Sequence, residues 1–177
     1  MIRISPVRAD NDSALDFIEH IYTESFPPDE RRDFDEVVRL LRENDYFAIA
    51  LLSDEEHPIG FISYWSWSDF TYMEHFAIDS RCRGAGYGAA AMTALLEQLG
   101  KPAVLEVEKP EDDLSRRRIA FYQRLGFVLS TRPYTQPPYS PDRHSLELYL
   151  MSYGAIDLDH VFDAVVTRIH SRVYGVE

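Results

Sequence analysis

The sequence predicts a mixed α/β fold, in which a mostly antiparallel central sheet carries helices on both faces. Three observations predict it. Apolar runs at 46–52, 59–67 and 71–78 are separated only by short polar turns, which imposes antiparallel pairing. The run at 71–78 is followed by a helical segment and another apolar run at 103–108, a strand–helix–strand crossover that makes those two strands parallel. Helical segments also stand before and after these strands, giving the order β-α-α-β-β-β-α-β-α-β-β and a terminal helix.

Each element has its own local reason. Met1 to Pro6 reads as a first strand rather than a secretion signal. Ser13 is a good helix cap, and Leu15, Ile18, Ile21 and Tyr22 then share one helical face. Pro27-Pro28 stops that helix. Asp33 with Glu36 resembles a capping box, and Phe34, Val37, Val38 and Leu41 follow at helical spacing. The stretch 53–58 is a polar turn between the first two strands of the hairpin, and Ser68-Asp69-Phe70 turns into the third. A helix then runs to about Leu99 and ends at Gly100-Lys101-Pro102, with glycine past the last turn and proline beyond. After the strand at 103–108, Glu111-Asp112-Asp113 supplies the acidic start of a helix that Gly126 closes. Phe127-Val128-Leu129 begins a strand, and 133–141, with four prolines, reads as a loop. Leu146 to Ser152 is the last strand. Asp157 caps a helix reaching about Tyr174, with Val161, Phe162, Val165, Val166 and Ile169 largely on one side; that face can pack on its own domain, the default, or across a homodimer.

Composition narrows the function. The 177 residues are enough for one domain with a real core, and 45% hydrophobic with 27% charged residues is an ordinary soluble mixture. A net charge of −12 argues against a nucleic-acid backbone as partner. No apolar run approaches the roughly 20 residues that span a membrane. The lone cysteine, Cys82, excludes an internal disulfide and fits a reducing cytoplasm.

The stretch Arg81-Cys82-Arg83-Gly84-Ala85-Gly86-Tyr87-Gly88 carries the most information. Alternating glycines let a backbone turn tightly and approach a ligand, and a helix starting there presents unpaired N–H groups and its positive dipole end to a phosphate. A nucleotide P-loop would end in Gly-Lys-Ser/Thr, whereas Gly88 is followed by Ala89-Ala90. A dinucleotide fingerprint fits Gly84, Gly86 and Ala89, with Glu106 where a ribose-binding acid belongs. Against it, five residues, 79–83, separate the strand from the first glycine, and the loop follows an antiparallel hairpin.

Arg83-x-x-Gly86-x-Gly88 resembles the acyl-coenzyme A loop of the GNAT superfamily of N-acetyltransferases. Phe76-Ala77-Ile78-Asp79 before it looks like that family's fourth strand. Downstream, Ala120-Phe121-Tyr122-Gln123-Arg124-Leu125-Gly126-Phe127 resembles the second signature, a helix carrying tyrosine and closed by Gly-Phe. Two signatures in order, one helix and one strand apart, are far more specific than the glycine loop alone. The resemblance covers about 1–153 as the acetyltransferase domain, with 154–177 a helical extension packed on it.

The resemblance implies acetyl transfer from acetyl-CoA directly to a primary amine of a small molecule or peptide, with no enzyme nucleophile and no metal. It implies fourth and fifth strands that splay apart to admit the pantetheine arm. Phe76 and Ile78 would pair with that arm, and a backbone N–H near Phe76 or Ala77 would polarise the thioester. Arg83, Gly84, Ala85, Gly86, Tyr87 and Gly88 would cradle the pyrophosphate, with Arg81 and Arg83 adding positive charge. Tyr122 sits where the family places the acid that protonates the leaving thiolate. Ser115 stands where many members carry asparagine and keeps one hydroxyl for the cofactor. Arg116-Arg117-Arg118 reads as a solvated helix face.

Strand alternation puts Glu74 and His75 on opposite faces. Glu74, sharing a face with Phe76, is preferred as base, with a water relay as the alternative; His75 is assigned to the core, and Glu106 and Glu108 stand in reserve. On the acceptor side, the resemblance directs attention to Phe26, Pro27, Glu30 and Arg31, to Tyr64, Trp65 and Trp67, and to Tyr134 and Tyr139. Aromatic walls with acids suit a cationic amine, and equally suit plain packing. A protein of this fold that binds acyl-CoA without turnover, as a sensor or partner, is the competing class.

Overall fold

The computed structural model describes residues 1–177. Seven strands form a mixed sheet in the order β1-β2-β3-β4-β5-β7-β6, antiparallel pairs together with a parallel pair. They are β1 (Ile2–Pro6), β2 (Phe47–Asp54), β3 (His57–Ser66), β4 (Thr71–Ile78), β5 (Ala103–Glu108), β6 (Val128–Gln136) and β7 (Leu146–Tyr153). The helices are α1 (Asp12–Ser25), α2 (Phe34–Glu43), α3 (Tyr87–Leu99), α4 (Asp113–Arg124) and α5 (Leu158–Val173). The chain forms two compact units, one of Met1–Trp67 with Met73–Gly100, the other of Ser68–Tyr72 with Lys101–Glu177.

In the first unit β1 pairs antiparallel with β2, and β2 with β3. The hairpin is tighter than its polar sequence suggests. The strands reach Asp54 and His57, leaving only Glu55-Glu56 as the turn, with Glu55 at a φ of 54°. Helix α1 packs against β3 through Ala14, Leu15, Ile18, Ile21 and Tyr22, the face its periodicity predicts. It begins one turn's edge earlier than expected: Asn11, not Ser13, is the cap, its side chain accepting from the Ala14 N–H at 3.1 Å. Asp33 does precede α2 as its cap residue, yet no side-chain capping bond forms; Glu36 pairs with Arg39 instead. Of the apolar residues at helical spacing in α2, only Val37 is fully buried. Helix α3 buries Ala91, Met92, Leu95 and Leu96, and Gly100 ends it at a φ of 61°.

In the second unit β5 and β6 both pair antiparallel with β7. The proline-rich loop starts later than expected, because β6 continues through Pro133 to Gln136. A ladder can hold proline there because β6 is the edge strand and its register breaks between Ser130 and Tyr134. Helix α4 opens with a full capping box, Asp112 with Ser115. Gly126, at a φ of 96°, reverses the chain after it, and the Phe127 N–H returns to the Tyr122 carbonyl at 3.0 Å. Asp157 caps α5. The buried line of α5 is Leu158, Phe162, Val165, Ile169 and Val173; Val161 lies outside it and is exposed. The helix packs on β6, where Arg132 lies 4.3 Å over the Phe162 ring and His170 meets the Thr135 carbonyl at 2.9 Å.

Candidate active site

The glycine turn lies in the first unit. Gly84 and Gly86 have φ of 83° and 80°, a region that side-chain-bearing residues enter at a cost, and Gly86 is the residue that opens α3. Apart from its immediate chain neighbours, no protein atom lies within 4 Å of where a Cβ would stand at either position, so the space beside the turn is open. The first N–H groups of α3, from Tyr87 on, have no carbonyl a turn before them within the helix. Ala85 lies between the two glycines, and Gly88 is already the second residue of α3. The Tyr87 side chain turns away, donating to Asp54 at 2.7 Å.

The two arginines that flank Cys82 differ in what they do. Arg81 closes on Asp79, its terminal nitrogen 2.6 Å from the carboxylate, which also accepts the Arg81 backbone N–H at 2.9 Å. These bonds hold the Asp79 carboxyl down at about 2 and pair the Arg81 guanidinium with it. Arg83 remains on the surface, its Nε donating to the Ile78 carbonyl at 2.9 Å, where β4 ends.

Along β4, Phe76 and Ile78 are half-buried and Ala77 is buried between them. Gly60 of β3 is what lets this segment lie as it does: a Cβ there would stand 2.4 Å from the Ala77 carbonyl oxygen. Sequence reasoning passed over Gly60. A glycine inside a run of strand residues is the signal that could have found it.

Glu74 is not an isolated carboxylate. Its side chain is fully buried and forms an ion pair with the buried Arg32, while its other oxygen accepts from the Trp65 indole N–H at 2.7 Å. Burial raises its carboxyl, but the Arg32 and His75 neighbours and the indole bond outweigh that, and the net shift is downward. His75 is buried against Tyr22 and Phe26, edge-on to both rings, with Nε2 2.8 Å from the Glu30 carbonyl. Burial lowers its pKa, so the ring is neutral and that nitrogen donates to the carbonyl. Alternation does not separate the two as expected. His75 approaches Ser63 and Glu74 meets Trp65, residues of β3 that share a face, and both reach into 30–32. The long side chains of Trp65 and Arg32 carry their donors to the carboxylate, which the pleat alone does not determine. Trp65 and Trp67 do share a face, their rings 6.4 Å apart, but both are buried.

In the second unit Tyr122, on α4, is half-buried, edge-on to Phe121 and Phe127. Burial pushes its phenol up to about 12, so it is protonated at neutral pH. Ser115 is buried and its hydroxyl is engaged in the α4 cap, 2.9 Å from the Asp112 carboxylate. Of the arginine run, Arg116 and Arg118 are exposed and pair with Asp113 and Glu108.

Glu106, on β5, gathers a set of phenols. Tyr134 donates to it, and the Tyr174 hydroxyl lies 3.0 Å from both of its oxygens. The hydroxyls of Tyr72 and Tyr139 lie 3.3 and 3.5 Å from that of Tyr174. Tyr174 has one proton and gives it to the carboxylate, so it accepts from the other two. Burial and the Glu106 charge push the Tyr174 phenol well up. Neither Arg32 nor Tyr174 was a candidate from sequence, since each meets its partner across 42 and 68 residues. No group of three or more His, Cys, Asp or Glu side chains is arranged to hold a metal, and no helix is long and apolar enough to cross a membrane.

Comparison with known proteins bears on this arrangement. The model of the acetyltransferase (GNAT) family matches residues 13–127, which include the glycine turn, Glu74, Glu106 and Tyr122. A Bacteroides thetaiotaomicron protein assigned to that family is 38% identical, with 99% of each chain covered and a TM-score of 0.95. The ribosomal-protein-S18-alanine N-acetyltransferase of Escherichia coli is 21% identical over 86% of this chain and 93% of its own, with a TM-score of 0.63. Arabidopsis thaliana NAA60, solved with acetyl-CoA, is 17% identical over 86% and 98%, again at 0.63; these two likenesses concern the fold alone. No curated protein matches the chain.

Proposed function

The chain belongs to the acetyltransferase (GNAT) family and is thereby an acyltransferase, and from that premise we propose that it moves an acetyl group from acetyl-CoA to a primary amine of a small molecule or peptide by direct transfer. The observation that carries the reading is the turn at Gly84 and Gly86, left-handed at both glycines and open at the head of α3. Backbone N–H groups there, with the positive end of the helix, suit the pyrophosphate of coenzyme A. Arg83 adds charge beside them; Arg81, held by Asp79, shapes the turn more than it attracts phosphate. The half-buried edge of β4 at Phe76 and Ile78 would pair with the pantetheine arm, and an N–H near Ala77 would polarise the thioester carbonyl.

Transfer forms an amide bond and breaks the thioester carbon–sulfur bond. The ammonium loses a proton before attack, and the thiolate gains one on leaving. Tyr122, protonated at neutral pH, is the proposed acid. Glu74, preferred from its position, already shares its charge with Arg32 and Trp65, an environment that opposes proton uptake. Glu106, ringed by tyrosine hydroxyls, is the other carboxylate suited to meet a cationic amine. The proposed setting is the cytoplasm, where Cys82 stays a thiol.

Replacing Tyr122 with phenylalanine tests the reading. Free-thiol release from acetyl-CoA in the presence of amines should fall by about 10²-fold or more, the range for losing a general acid, while acetyl-CoA affinity by calorimetry is retained. Full thiol release by Tyr122→Phe would remove it from the chemistry, and a wild-type protein that neither binds acetyl-CoA nor is stabilised by it would overturn the acetyl-transfer reading.

A further inference from the structure

The segment joining α1 to α2 is built as a fixed object rather than a flexible connection. Arg31 Nε donates to the Phe26 carbonyl at 2.8 Å. The Arg32 backbone N–H donates to the buried Tyr22 hydroxyl at 2.8 Å. His75 donates to the Glu30 carbonyl, and Glu74 holds the Arg32 guanidinium. Two neighbouring residues of β4 thus grip the segment at two points, one through main chain and one through a buried charge.

A buried ion pair is a poor source of net stability, because desolvating both charges costs about as much as their attraction returns. Its better-attested use is to make one arrangement far better than its rivals, since any slip of the segment leaves a charge buried without its partner. Glu74 stands two residues before Phe76, on the strand proposed to carry the acetyl group. A carboxylate whose two oxygens already take a guanidinium and an indole N–H is equipped to hold something in place.

We propose that Glu74 is a positioning residue: through Arg32, and with His75 beside it, it fixes the segment from Phe26 to Asp33 as a rigid wall that selects which amine reaches the acetyl group. The inference rests on the acetyl-transfer reading for what the wall selects, and on geometry alone for the grip itself.

The experiment compares Glu74→Gln, Arg32→Met and the double variant. Amide hydrogen exchange over 26–33 reads the grip without any turnover. Exchange should speed at least tenfold in each variant, and unchanged exchange overturns the proposal. Steady-state kinetics with a linear and a bulky aromatic amine read the selection. KM for the amine should rise about tenfold or more in both single variants, KM for acetyl-CoA should hold, and the ratio of kcat/KM between the two amines should move toward one. The double variant should be no worse than either single, because the two residues act as one pair. A general base behaves differently: Glu74→Gln would lower kcat at unchanged KM and erase the acidic limb of the pH–rate profile, while Arg32→Met kept that limb. That pattern overturns the proposal. If Glu74→Gln does not fold, the double variant, with no buried charge left alone, carries both readouts. A wild-type protein without turnover on any amine sinks the acetyl-transfer reading and the selective role, and leaves hydrogen exchange to decide the grip.

Discussion

Replacing Gly60 with alanine puts a single methyl where β3 and β4 come closest. The added Cβ would lie 2.4 Å from the Ala77 carbonyl oxygen, 3.0 Å from the Ile78 Cδ1 and 3.1 Å from the Ile78 Cα. Ordinary contact begins near 3.4 Å, so the carbonyl must retreat by about 1 Å. No rotamer change relieves this, because two of the three atoms are main chain. The Asp79 N–H is also tied to the Ile59 carbonyl at 2.8 Å, which holds the strands together at that point. Overpacking of this kind costs about 1–3 kcal/mol. For a chain of this size that is a fall of roughly 2–12 °C in Tm. The displaced carbonyl lies between Phe76 and Ile78, the residues proposed to pair with pantetheine, so acetyl-CoA affinity should drop about tenfold, the equivalent of ~1.4 kcal/mol. Thermal unfolding with and without acetyl-CoA, and calorimetric titration, measure both effects. A variant within about 1 °C of wild type and with unchanged affinity would refute the reasoning about Gly60.

Other outcomes follow from single contacts. The Asp79 carboxyl, held down at about 2 by Arg81, lies below its unfolded value of 3.8; its stabilisation is therefore present above about pH 4 and lost as the pH falls toward 2. Arg81 is exposed, so the contribution is under about 1 kcal/mol, and Asp79→Asn should show a deficit at pH 6 by urea unfolding that vanishes near pH 2. Tyr174→Phe removes a hydroxyl donated to the Glu106 carboxylate and should cost about 1.5–3 kcal/mol in urea unfolding, whereas Tyr139→Phe, one step further out, should cost less. Asn11→Ala should destabilise by about 1 kcal/mol and Ser13→Ala by almost nothing, because the α1 cap is Asn11.

What could be read from sequence was whatever local spacing encodes. β4 and β5 lie at the residues where apolar runs bounded by turn chemistry placed them. The glycines at 84, 86, 100 and 126 take the left-handed backbone that their positions in turns and helix ends require. The loop and Tyr122 were visible because each is a short motif in which neighbours in sequence are neighbours in space. Errors came where two local options were nearly equal in energy. Asn11 and Ser13 are both competent caps, and the Asp33–Glu36 box lost to a Glu36–Arg39 pair. Pro133 reads as a loop until its strand is seen to be an edge with a broken register.

Which partners a strand carboxylate meets was decided only by tertiary structure. Glu74 and Glu106 look alike in sequence, each one place off an apolar neighbour on a strand. Folding gave Glu74 an arginine from 42 residues away and an indole, and gave Glu106 two tyrosine hydroxyls, one from 68 residues away just past the terminal helix. Periodicity and motif spacing act over one or two turns of chain, so they determined the fold class, the glycine turn and the position of Tyr122 on its helix. A charge's pKa and availability depend on which atoms surround it, and those atoms arrive from distant segments only once the core has packed.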